Sequence, residues 1–187
     1  RIIQEQIMRA DCGRECSLVG TRLFSSPENA ALANGVAAHI LDIDDTSRSM
    51  DGHASISVLP VCLALAEMKR MGGADVLTSF IVGFEIQGKL GSLIGPFLRE
   101  AGWHSAGVFG TLGATVAAAN MIRLDPPATI CAMGIAASLA SGLSANIGSM
   151  VKPLHAGNSA RNGVLSAMLA KRGFGSQPQA LSGFLSA

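Results

Sequence analysis

Ser26-Pro27-Glu28-Asn29-Ala30-Ala31-Leu32-Ala33-Asn34-Gly35-Val36-Ala37-Ala38-His39-Ile40-Leu41-Asp42-Ile43-Asp44-Asp45-Thr46 is the stretch from which the rest of the chain can be read. Ser26 has the hydroxyl of a helix cap, Pro27 falls in the first turn where its missing N–H costs nothing, and Glu28 suits the positive end of the dipole. A helix is therefore expected towards Leu41, built from small residues and ending in a run of acids. Imidazoles and carboxylates placed against such an apolar segment cost about 2–7 kcal/mol each when they find no partner. Partners are available in His53, in Gly102-Trp103-His104 and in Lys152-Pro153-Leu154-His155-Ala156-Gly157. All four histidines of the chain lie in these places, the pattern of a site assembled from distant loops.

Outward from this stretch the punctuation stays helical. A run from Val58 to Met71 ends at Gly72-Gly73, a pair suited to a left-handed C-terminus. Asp75 is placed to cap a helix reaching about Leu93, which Gly95-Pro96 should end. Ser105 is placed to cap a Gly/Ala-rich run to Ile122, and Asp125-Pro126 repeats the logic of Ser26-Pro27. A last strong helix is expected from Ser159 to Arg172, stopped by Gly173, with a further start at Gln177-Pro178. Alternation of Val, Ile, Thr and aromatics is nowhere sustained, and the chain has no Tyr and only seven Phe, which argues against a sheet. The expectation is an all-α, multi-helix domain whose Ala, Gly and Ser faces let helices pack at close range.

With 187 residues, one helical domain over 1–187 can bury a continuous core. Apolar residues make up 49% and charged residues 14%, so a partner surface is expected, in a homodimer or against another domain. A net charge of +1 without a basic block excludes a nucleic-acid footprint. Cys12, Cys16, Cys62 and Cys131 form neither a disulfide scaffold nor a Cys-x-x-Cys pair, which fits a reduced, cytoplasmic protein. No secretory leader opens the sequence, and its start at Arg1 points to a missing upstream part. The uncharged stretch from Ile130 to Val151 carries four serines, an asparagine and three glycines without an aromatic belt, so it reads as a buried helix rather than a membrane span. No Gly-rich phosphate loop after a strand is present, and no cofactor is expected.

Taken in order, Asn34-Gly35, His39, Leu41-Asp42-Ile43-Asp44-Asp45-Thr46, His53-Ala54-Ser55, Gly102-Trp103-His104 and Lys152-Pro153-Leu154-His155-Ala156-Gly157 resemble the MmgE/PrpD family. That family includes 2-methylcitrate dehydratases, cis-aconitate decarboxylases and an iminodisuccinate epimerase. The resemblance runs from about Pro27 to Leu185 and implies the family's helical domain, without an N-terminal piece and without the α+β lid domain that follows. It further implies a lyase acting on a small citrate-like acid by histidine acid–base chemistry, in the cytoplasm or, in a eukaryote, the mitochondrion. By the same resemblance His53, His104 and Lys152 are the catalytic positions, and Asp42 and Thr46 bind substrate. These residue types suit the chemistry. Imidazoles shuttle protons near neutral pH, and a lysine neutralises a carboxylate or the enolate-like charge that forms beside it. Asp42 is expected to orient an imidazole or hold a hydroxyl.

Other readings stand beside this one. Asp44 and Asp45 read as a structural cap or solvated turn, His39 as a histidine bonded to Asp42 one turn on, and His155 as a core residue. His39, Asp42, Asp45 and His53 are also a possible divalent-metal set, although the family resemblance implies no metal. A truncated relative serving as an interaction module is the non-enzymatic alternative. The chain also departs from the family pattern, with Ala54 where His-Pro-Ser is common and Ser47 where a histidine commonly follows Asp-Asp-Thr. The second departure removes an imidazole and bears on substrate choice.

Overall fold

The computed structural model describes residues 1–9 and 13–186, so Cys12 lies outside the described residues. Helix α1 (Ile2–Met8) precedes a minimal hairpin of β1 (Cys16–Ser17) and β2 (Phe24–Ser25), with Cys16 opposite Ser25. Among the described residues these two-residue strands and two isolated bridges, Ser47 with Gly52 and Trp103 with Leu143, are the extended pairings in an otherwise helical chain. Asn34 holds the loop between the strands, accepting from the Val19 N–H and donating to the Ser17 carbonyl. Then follow α2 (Pro27–His39), α3 (Ser55–Lys69), α4 (Gly73–Glu100), α5 (Ser105–Met121), α6 (Pro126–Leu139), α7 (Val151–Lys171) and α8 (Ala180–Ser186). The all-α expectation holds.

Ser26 and Asp125 cap α2 and α6 as expected, accepting from the N–H of Asn29 and Ala128. Other boundaries moved. Helix α3 begins at Ser55, and its left-handed terminus is Arg70 at φ 54°, not the glycine pair. Gly72 instead serves as the extended N-cap of α4, while Asp75 pairs with Arg123 at 3.1 Å. Helix α4 continues through Gly95-Pro96 to Glu100. Part of the clash that disfavours helix before proline comes from the Cβ of the preceding residue, and Gly95 has none. Helix α5 starts with His104 as its cap, and the Ser105 hydroxyl goes to the Asp51 carbonyl at 2.9 Å. The expected helix over 130–151 stops at Leu139, and residues 140–150 form a loop with one 3-10 turn. In compensation α7 starts at Val151, eight residues early, because Pro153 falls in the first turn where an N–H has no intrahelical partner.

All of α5 except Ser105 and Asn120 is buried. It is the axle, touched by α3, α4, α6 and α7. Contact is close because glycine faces glycine: a Cβ on Gly35 of α2 would lie 2.8 Å from Gly157 Cα of α7, and one on Gly83 of α4 would lie 2.8 Å from the Gly113 carbonyl of α5. Around these crossings Leu65, Phe109, Leu112 and Val164 are wholly buried, each contributing about 1.5–3 kcal/mol of burial. Among the described residues no helix is long and apolar enough to cross a membrane. The crossing of α2 with α7 sets the C-terminus of one beside the first turn of the other, and the histidines gather there.

Candidate functional site

His39, the last residue of α2, is buried, with Nδ1 at 3.1 Å from both oxygens of Asp44. His53 comes from the loop before α3. Its Nδ1 lies 2.9 Å from Asp44 Oδ2 and 2.9 Å from the Asp45 carbonyl oxygen. Both neighbours are acceptors, so Nδ1 of His53 donates, and in the neutral form of the ring the lone pair is left on Nε2. That Nε2 faces Asp42 Oδ1 at 3.5 Å. Asp42 adopts a left-handed backbone, φ 55°, just past the end of α2, and Oδ1 accepts from Lys152 Nζ at 2.6 Å. The Lys152 hydrogen bond, reinforced by its charge, holds the Asp42 carboxyl below the ordinary carboxylate range.

On the opposite wall His104 caps α5, its backbone N–H donating to the Gly142 carbonyl at 2.8 Å. Burial, followed by the nearby His155, pushes its imidazole down to about 4. His155, on the second turn of α7, is also pushed down by burial, and the two Nδ1 atoms stand 3.1 Å apart. The His39 ring bridges the walls, its centroid 4.7 Å from that of His53 and 6.4 Å from that of His104.

A cleft of about 290 Å³ opens onto this cluster, lined among others by His53, His104, Lys152, Ser105, Asp51 and Arg99. Asp51 and Arg99 pair with each other. A larger hollow of about 620 Å³, lined by Ile94, Phe97, Leu98, Trp103 and Phe184 among others, contains no titratable side chain. Of these two, only the smaller is lined by titratable side chains.

The three expected catalytic residues thus share one cleft, and Asp42 joins it through Lys152. Thr46 is exposed and does not line it. Asp45 does act as a cap, both its oxygens within 3.3 Å of the Ser55 N–H at the start of α3. Asp44 does not remain a solvated turn. It is the carboxylate that orients His53, the part expected of Asp42, and His39 bonds Asp44 rather than Asp42, which is 3.7 Å away. The signal was there: a buried imidazole at a helix end needs a carboxylate partner, and in the turn Asp44 stands five residues on. His39, Asp42, Asp44 and His53 bring possible ligand atoms within 4.8 Å of one another, with Asp44 in the place expected of Asp45. The Lys152 ammonium already occupies Asp42 and competes with a cation for that oxygen.

The sequence matches the family described as the MmgE/PrpD N-terminal domain over residues 1–184. The chain belongs to the MmgE/PrpD family. The match starts at residue 1, ahead of the Pro27 expected from the motifs alone. Among curated relatives, the human cis-aconitate decarboxylase is 40% identical over 164 residues, covering 83% of this chain and 33% of that protein. The cis-aconitate decarboxylase of Aspergillus terreus is 34% identical over 166 residues, covering 85% of the chain and 34% of the relative. A cis-aconitate decarboxylase-like protein of Aspergillus oryzae is 35% identical over 168 residues, covering 85% and 35%. The chain therefore spans about a third of the length of the curated MmgE/PrpD relatives it matches.

Proposed function

We propose that this chain is the helical domain of a lyase acting on a small citrate-like di- or tricarboxylic acid, with removal of carbon dioxide from a cis-aconitate-like substrate as the favoured reaction. The observation that carries this is the convergence of His53, His104 and Lys152 on one cleft, with the basic Nε2 of His53 set by Asp44. Lys152 meets a substrate carboxylate, exchanging Asp42 for it. Breaking the bond to the departing carboxylate leaves an electron pair on carbon, which the ammonium and the remaining carboxylate help to spread. A proton from solvent, passed through His53 Nε2, completes the product. Loss of water, as in 2-methylcitrate dehydratases, or proton exchange, as in the epimerase, would use the same base.

A lid domain from elsewhere in the protein would close the cleft and exclude water. A homodimer belongs to the same proposal, supported by the exposed Leu77, Ile81, Leu93 and Phe97 on α4. That surface also favours the interaction-module reading. An intracellular, cytoplasmic location is supported by Cys16, Cys62 and Cys131, all free thiols.

The test is turnover of cis-aconitate, citrate, 2-methylcitrate and iminodisuccinate by the full-length protein, with His104→Ala and Lys152→Ala beside it. Each variant should lose about 10²–10⁴ of the rate with the fold intact. A wild type that converts none of the four acids, or variants that keep its rate, would leave the interaction module as the better reading.

A further inference from the structure

The contact between His104 and His155 has one chemical constraint that neither residue type alone would impose. Two neutral imidazoles 3.1 Å apart through Nδ1 share one proton between those atoms. One ring donates and the other accepts. The donor is decided by position. His104 is the N-cap of α5, and although its side chain takes no hydrogen bond from the helix's first N–H groups, the positive end of the dipole favours electron density on the nearest ring atom. In a histidine that atom is Nδ1. The lone pair therefore belongs to Nδ1 of His104, and the shared proton to Nδ1 of His155. Burial keeps both rings neutral, so the remaining proton of His104 sits on Nε2, the ring nitrogen left for the cleft.

We propose that His155 is a positioning residue that locks His104 in the Nε2–H form, so that His104 meets the substrate as a neutral hydrogen-bond donor while His53 alone supplies the basic nitrogen. The inference rests on the lyase reading for its consequence, since a donor there holds a carboxylate or enolate oxygen. It does not rest on that reading for the tautomer. A neutral imidazole at a helix N-terminus, used as a donor rather than as an acid, has precedent in triosephosphate isomerase. Two histidines set in opposite tautomers, one by Asp44 and one by His155, divide a labour that a pair of free imidazoles would share at random.

Nitrogen-15 NMR of the intact protein labelled at histidine reads the tautomers directly, with His104 assigned by loss of its signals in His104→Asn. In the wild type Nδ1 of His104 should be unprotonated and Nε2 protonated, with Nδ1 of His155 protonated. His155→Asn places an amide N–H where the imidazole Nδ1 stood and should preserve the His104 pattern and activity within about threefold. His155→Leu removes the donor, should release the tautomer, and should lower kcat at least about tenfold with less effect on KM, the sign of misdirected imidazole. A protonated Nδ1 and bare Nε2 on His104 in the wild type would overturn the proposal, and so would a His104 pattern untouched by His155→Leu. If His155→Leu fails to fold, the wild-type and His155→Asn spectra still decide. Expected spectra with no turnover of any acid would sink the lyase reading and leave the tautomer assignment standing.

Discussion

Replacing Gly157 by Ala probes the link between helix packing and the site. The new methyl would lie 2.6 Å from Val36 Cγ2 and closer still to the Leu32 carbonyl oxygen of α2. Backbone cannot rotate away as a side chain can, so α2 and α7 must move apart by a sizeable fraction of an ångström. Overpacking of this kind costs about 1–3 kcal/mol, whereas alanine gains up to about 1 kcal/mol over glycine in a helix interior. The steric cost should win by about 1–2 kcal/mol, or roughly 2–8 °C in Tm for a domain of this size. The same displacement pulls Lys152 from Asp42, whose 2.6 Å bond spans the crossing. Turnover should therefore fall more than stability alone requires. Urea unfolding and initial rates, with Gly73→Ala as the control because nothing lies within 4 Å of a Cβ there, provide the measurement. A Gly157→Ala protein as stable and as active as the wild type would refute the close-crossing account.

Acid should weaken the fold through His104 and His155. Their folded pKa values lie below the unfolded value near 6.5, for His104 at about 4, so the unfolded chain binds more protons and stability is lost as pH falls from about 6.5 towards 4. With allowance for water reaching the cleft, the loss is on the order of 1–3 kcal/mol, and urea midpoints at several pH values should show it shrinking in His104→Asn. Asp44→Asn should cut kcat by about 10²-fold or more by freeing the His53 ring, while Asp45→Asn should act mainly on stability by about 1 kcal/mol through the α3 cap; rate and melting measurements separate the two. Elemental analysis and chelator treatment of the purified protein should show no stoichiometric metal and no lost turnover, and zinc or manganese bound by His39, Asp42, Asp44 and His53 would reverse that. Sedimentation at tens of micromolar should show a dimer, and a stable monomer would count against self-association.

Where a local signal carries its own physics, the sequence was legible. Ser26-Pro27 and Asp125-Pro126 cap the helices they announce, and the small-residue faces pack as closely as their lack of side chain permits. The ordered motifs single out His53, His104 and Lys152, and all three line one cleft. Helix ends depart from the local signal where a neighbour overrules the residue, as when α4 runs through Gly95-Pro96, eased by the missing Cβ of Gly95, or Arg70 takes the left-handed turn in place of a glycine. Asp44, His39 and His155 read as structural in the sequence because their partners are met only across α2, α7 and the loops, and a one-dimensional pattern shows candidates but not partners.

The Lys152–Asp42 bond joins residues 110 positions apart, and α2 packs most extensively on α7. A ribosome releasing this chain at about 5–20 residues per second thus delivers the first wall of the cleft several seconds before the last. Until α7 emerges, the face of α2 that carries Gly35 lacks its partner Gly157. The Lys152 side of the cleft is accordingly completed only once the chain has been made past the start of α7.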